Sequence, residues 1–157
     1  MKNSVILVLF VSLFSFTLKS YAHCEIPCGI YGDSLRIEQI SEHITTLEKS
    51  MNQINELSKA GDKNYNQLVR WVVNKEEHAQ KIQDIVSQYF LHQRIKPVDP
   101  SDSTAYGKYI KQLTQLHQLL VLAMKAKQTT DLSVIEKMRS TLHDFSHSYF
   151  GDHGHSH

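Results

Sequence analysis

From Ile37 the apolar positions fall at Ile37, Ile40, Ile44, Leu47, Met51 and Ile54, in alternating steps of three and four residues. That spacing draws a continuous stripe down one side of a helix and predicts a helix over about Ser34 to Lys59. Gly61, just past the last periodic residue, suits the left-handed conformation that ends one. A second stripe, Leu68, Trp71, Val72, Ala79, Ile82, Ile85, Val86 and Tyr89, predicts a helix over Asn64 to Gln93, after which Pro97 and Pro100 enforce a loop. The third stripe is Tyr106, Tyr109, Ile110, Leu113, Leu116, Leu120 and Met124; the fourth is Val134, Ile135, Met138, Leu142, Phe145 and Tyr149. Ser133 with Glu136 has the spacing of a capping box, while Asp131 offers an earlier cap. Helices of about 20–30 residues span roughly 30–45 Å, and short connections favour antiparallel neighbours. The expected fold is all-α, an antiparallel up-down-up-down four-helix bundle over residues 34–150. Each stripe reads as core, and a bundle by itself specifies no chemistry.

The segment ahead of the first helix is different in kind. Lys2 precedes an apolar or small run from Val5 to Phe16, then a polar stretch and Ser20, Tyr21, Ala22. The run is too short to span a bilayer, and Ser20 and Ala22 flank one larger residue as a signal peptidase requires. Residues 1–22 are therefore expected to be a cleaved leader, with the mature chain starting at His23 and exported to a periplasmic or extracellular location. Acylation of Cys24 is disfavoured because His23 is not small, and no stop-transfer pattern supports stable membrane insertion. The whole chain of 157 residues carries 17 basic and 16 acidic side chains. It lacks the positive excess that a nucleic acid would attract.

Two cysteines are too few for a disulfide scaffold or a four-thiolate zinc site, whereas ten histidines are many. Both cysteines lie in His23, Cys24, Glu25, Ile26, Pro27, Cys28, Gly29, Ile30, Tyr31. Cleavage would add a free amine, which on deprotonation chelates together with the imidazole of the same residue. Pro27 holds Ile26 extended and Gly29 allows a turn after Cys28, so both sulfurs can reach one point. Nitrogen and thiolate donors in a plane suit Ni(II) or Cu(II) better than Zn(II). In an oxidising compartment a Cys24–Cys28 disulfide, or pairing between chains, is the open alternative.

The run from His23 to Tyr31 resembles the nickel hook of the nickel-containing superoxide dismutases, whose pattern is His, Cys, two variable residues, Pro, Cys, Gly, one variable residue and Tyr. The resemblance implies a four-helix bundle assembled as a homohexamer, a processing peptidase, superoxide as substrate and nickel as cofactor. It implies nickel ligation by the amine and imidazole of His23, the amide nitrogen and sulfur of Cys24, and the sulfur of Cys28. Tyr31 would lie over the open face and order small anions or water. Glu38 would hydrogen-bond the axial imidazole and set its orientation and basicity, although its offset from Tyr31 is one residue shorter than the family pattern. A family arginine behind that glutamate falls near His78 instead, and Tyr89 before Phe90 resembles a second tyrosine near the metal, with core packing as the other reading. Hook residues 23–33 would then disproportionate superoxide by one-electron Ni(III)/Ni(II) cycling.

The remaining histidines divide. His43, His92 and His117 stand singly on helices and read as surface or core residues. His143 and His147 are four apart, and His153, His155 and His157 alternate in a tail over residues 151–157, a spacing that could collect metal weakly and pass it to the hook; a solvated tail is the alternative. Two other classes remain: an exported nickel- or copper-binding helical protein without turnover, and a helical stress protein with a disulfide-closed N-terminus. A haem bundle is disfavoured because no Cys-x-x-Cys-His run occurs.

Overall fold

The computed structural model describes residues 29, 31–61 and 63–151. The expected leader, the donors His23, Cys24 and Cys28, and the tail histidines His153, His155 and His157 lie outside the described residues. Four helices make up the fold: α1 (Asp33–Lys59), α2 (Tyr65–Asp84), α3 (Ser103–Gln128) and α4 (Ser133–Phe150), with α2 running on into a π-helical segment, Ile85–Arg94. No strand occurs among the described residues. None of their helices is long and apolar enough to cross a membrane.

Side-chain bonds fix the directions. Asp33, His43 and Ser50 of α1 meet Arg94, His78 and Asn74, in falling order along α2. Asp33, Glu48 and Asn55 meet Tyr149, Arg139 and Thr130, again in falling order, and Gln83 and Lys75 meet Leu120 and Ala126 of α3. Each helix is thus antiparallel to its neighbours, and the bundle is up-down-up-down as the periodicity implies.

The stripes of α1 and α4 are the core faces: Ile40, Ile44, Leu47 and Met51, with Ile135, Met138 and Phe145, are fully buried, and Ile37 and Tyr149 sit half-buried at the rim. Two faces depart from expectation. On α3 the buried residues are Gln112, Gln115, Leu116, Leu119, Ala123 and Ala126, while Ile110 and Met124 are exposed. The buried face is shifted to one side of the expected stripe: Leu116 lies on both, Tyr109, Leu113 and Leu120 pack at its rim, and Gln112, Gln115, Leu119, Ala123 and Ala126 complete it. On α2, Val72 is exposed with Tyr65, Val69 and Val73, and burial begins at Lys75. Lys75 already lies level with the last turn of α3 through its bond to Ala126. The turns before it project about 15 Å beyond that end at 1.5 Å per residue.

Lys75 explains how that end is closed. Its ammonium donates to the carbonyls of Ala126, at 2.6 Å, and Lys127. These carbonyls are among the unpaired acceptors at the α3 C-terminus, where a cation is also favoured by the helix dipole. Gly61 takes φ +70°, as expected, one residue beyond Ala60. At α4 the earlier cap wins: Asp131 accepts from the Ser133 amide at 2.9 Å, and the Ser133 hydroxyl donates to Asp131 at 2.8 Å rather than joining a box with Glu136.

Candidate metal centre

The described chain begins where the sequence places the end of the hook. Gly29 has φ +74°, a conformation that glycine adopts freely. Tyr31 follows and is about half exposed (46%). The Arg94 guanidinium lies over its ring at 4.2 Å, and the Tyr89 ring stands edge-on to it at 6.1 Å.

Asp33, the first residue of α1, gathers the elements at this end of the bundle. Arg94 donates through Nε to Oδ1 at 2.9 Å and through Nη2 to Oδ2 at 2.6 Å, a fork on one carboxylate. Tyr89 donates to Oδ1 at 2.5 Å and Tyr149 to Oδ2 at 2.8 Å. The Tyr89 hydroxyl also accepts from the Gly32 amide at 2.9 Å. A negative side chain in the first turn suits the α1 dipole, and the N-cap position is Gly32, which has no side chain with which to cap the helix. The start of α1, and the direction in which the chain leaves it toward the hook, is therefore set by side chains from the far ends of α2 and α4.

The π-helical winding makes this convergence possible. Bonding to the fifth residue widens each turn, as in the Ile95 amide donating to the Phe90 carbonyl at 2.9 Å. Residues five apart then lie nearly one above the other, so Tyr89 and Arg94 face the same carboxylate. Tyr89 is also buried against Phe90, which packs edge-on to Phe145 and Tyr149. The packing reading of Tyr89 holds, and its ring also meets Tyr31; the donors it would approach in the other reading lie outside the described residues.

Electrostatics follow the geometry. Burial by itself would raise the Asp33 carboxyl, but the hydrogen bonds from Arg94, Tyr89 and Tyr149 and the Arg94 charge hold it below the usual carboxylate range. Burial and donation to Asp33 push the Tyr149 phenol up to about 12 and raise Tyr89 as well. An open cleft of about 270 Å³ adjoins the cluster, lined by Arg94, Lys96, Lys108, Tyr109 and Tyr149 among others. It brings Lys96 and Lys108 together with Arg94, the side chain that covers the Tyr31 ring.

Of the sequence-predicted residues, Tyr31 is brought into this assembly. Glu38 is exposed on α1 and joins no hydrogen bond or ion pair among the described residues. Asp33, Arg94 and Tyr149 were not singled out by sequence. His78, where the family arginine is missing, meets His43 at 3.1 Å between Nδ1 atoms, so these two are a pair rather than solitary helix residues. Burial, assisted by the Lys81 charge, lowers both imidazoles, and mutual repulsion lowers His43 further. His92, His117, His143 and His147 are exposed. No group of three or more His, Cys, Asp or Glu side chains suited to a metal occurs among the described residues.

Comparison with known proteins agrees with the hook pattern. The family model for nickel-containing superoxide dismutase matches residues 18–153. No curated protein and no solved structure matches the chain. With the helical bundle in place and the match covering most of its length, the chain belongs to the nickel-containing superoxide dismutases, oxidoreductases that hold nickel and act on superoxide.

Proposed function

We propose that this enzyme converts superoxide to oxygen and hydrogen peroxide at a hook formed by His23, Cys24 and Cys28 after removal of residues 1–22. The donor chemistry fits nickel: an amine and imidazole on His23, an acidifiable amide and a thiolate at Cys24, and a second thiolate at Cys28, a set suited to tetragonal coordination. Nickel bound there supplies a one-electron couple between Ni(III) and Ni(II), which two thiolates and an anionic amide bring into range.

The observation that carries the reading is the fixed platform three residues beyond Cys28. Arg94 and Tyr89 hold Tyr31 in place while leaving about half of it exposed, so its phenol can order a small anion or water beside the hook. Lys96, Lys108 and Arg94 raise the local concentration of an anionic substrate. Two superoxide anions and two protons give one oxygen and one peroxide, and the open cleft admits the water that delivers those protons. Glu38 is assigned to orient the His23 imidazole. Export and homohexamer assembly belong to the same proposal; the exposed Tyr65, Val69 and Val73 supply apolar surface for packing between copies.

The test is the mature chain starting at His23, loaded with nickel. Dismutase turnover and a rhombic Ni(III) electron paramagnetic resonance signal with nitrogen splitting are expected. One alanine added before His23, or Cys28→Ser, should remove both. Nickel binding without turnover in the mature chain would indicate a metal buffer instead, and a free amino end elsewhere than His23 would refute the hook.

A further inference from the structure

We propose that His43 and His78 form a second metal site, separate from the hook, that takes one divalent transition ion through their two Nδ1 atoms. The residues come from neighbouring antiparallel helices, and both are half-buried: held in place by packing but open to an ion from solvent. Their rings meet edge-on, with centroids 4.9 Å apart and planes at 81°, which brings Nδ1 to Nδ1 at 3.1 Å.

That separation is what two nitrogen ligands on one ion require. With metal–nitrogen distances of about 2.05 Å, nitrogens 3.1 Å apart subtend about 98° at the ion. The value lies between the roughly 90° of neighbouring ligands in tetragonal or octahedral coordination and the roughly 109° of a tetrahedron. Without an ion, one Nδ1–H donates to the other Nδ1. Binding moves that proton to Nε2 of the same ring, leaving two neutral imidazoles with Nδ1 lone pairs free to ligate and no net change in protonation.

The charges around the pair oppose one another: Lys81 acts on both rings and outweighs Glu42 at His43 and Glu77 at His78, so an ion there is held by the two nitrogens and not by the surrounding field. No third His, Cys, Asp or Glu joins the group among the described residues, so water completes the coordination. Imidazole with water suits zinc and nickel rather than calcium or magnesium.

The site is tested with zinc on the mature full-length protein whose hook already holds nickel. Long-range proton–nitrogen spectra should show both Nδ1 resonances moving to ligated positions, assigned through His43→Gln and His78→Gln. Each variant should bind one zinc equivalent fewer than the parent by equilibrium dialysis, with hook nickel content unchanged, and magnesium should give no shift. Unmoved Nδ1 resonances in the parent, or equal zinc stoichiometry in parent and both variants, would overturn the site. The first measurement decides even if a variant fails to fold.

Discussion

Asp33→Asn isolates what the carboxylate at the head of α1 contributes. The amide keeps the shape and one carbonyl acceptor but loses the charge and one acceptor oxygen. Of the contacts to Arg94 at 2.9 and 2.6 Å, to Tyr89 at 2.5 Å and to Tyr149 at 2.8 Å, about half should survive. Hydrogen bonds to a charged group contribute about 1.5–3 kcal/mol each. The Arg94 side chain is 27% exposed and regains some water, which reduces the net loss to ~2–3 kcal/mol. At about 4 °C per kcal/mol for a domain of this size, thermal unfolding of the nickel-free variant, followed by circular dichroism at pH 7, should fall by about 8–12 °C. The acid limb gives the sign. The folded carboxyl lies below its unfolded value of about 3.9, so its contribution is complete above that pH and fades as pH falls through the folded value. Parent and variant should therefore converge in acid. A loss under about 3 °C at pH 7, or a difference unchanged at pH 2, would show that the cluster behaves as a solvated surface pair and would refute its role in fixing the helix start.

Two further outcomes follow. The Tyr149 phenol, pushed up to about 12, stabilises the fold fully below the unfolded value near 10 and less as pH rises through about 12; ultraviolet titration of tyrosinate in Tyr149→Phe should lose the step near pH 12, and loss of a step near 10 would contradict the geometry. Glu at both Lys96 and Lys108 should lower kcat/KM for superoxide by about tenfold at low ionic strength, with the deficit shrinking at high salt; a loss independent of salt would place these lysines outside the approach path.

How much was legible depended on which side chains carry the contact. The α1 and α4 faces were readable because Ile, Leu, Met and Phe occupy them at helical spacing. On α3 the core face is Gln112, Gln115, Ala123 and Ala126 as much as leucine, so a stripe drawn through large apolar residues lies to one side of it, sharing Leu116 and reaching its rim at Tyr109, Leu113 and Leu120. The unburied start of α2 reflects unequal lengths of paired helices, which periodicity within one helix does not encode. Among the site residues, Tyr31 was found through the hook pattern. Asp33 looked like an ordinary acidic residue at a helix start, and Arg94 lies 61 residues away; only antiparallel pairing of α1 with α2 joins them. The sequence holds a usable clue: Asp33 and Arg94 carry opposite charges just outside the expected first and second helices, and Asp33 lies two residues from Tyr31.

The wide winding of Ile85–Arg94 has a bearing on how this protein can change over generations. Ten residues coiled with a surplus per turn tolerate exchange of one outward side chain for another, since the coil itself is undisturbed. Excising a single residue would let the stretch relax to ordinary pitch and swing Arg94 away from Asp33, releasing Tyr31 along with it. Chain length there is what inheritance must preserve alongside Tyr89, Phe90 and Arg94 themselves.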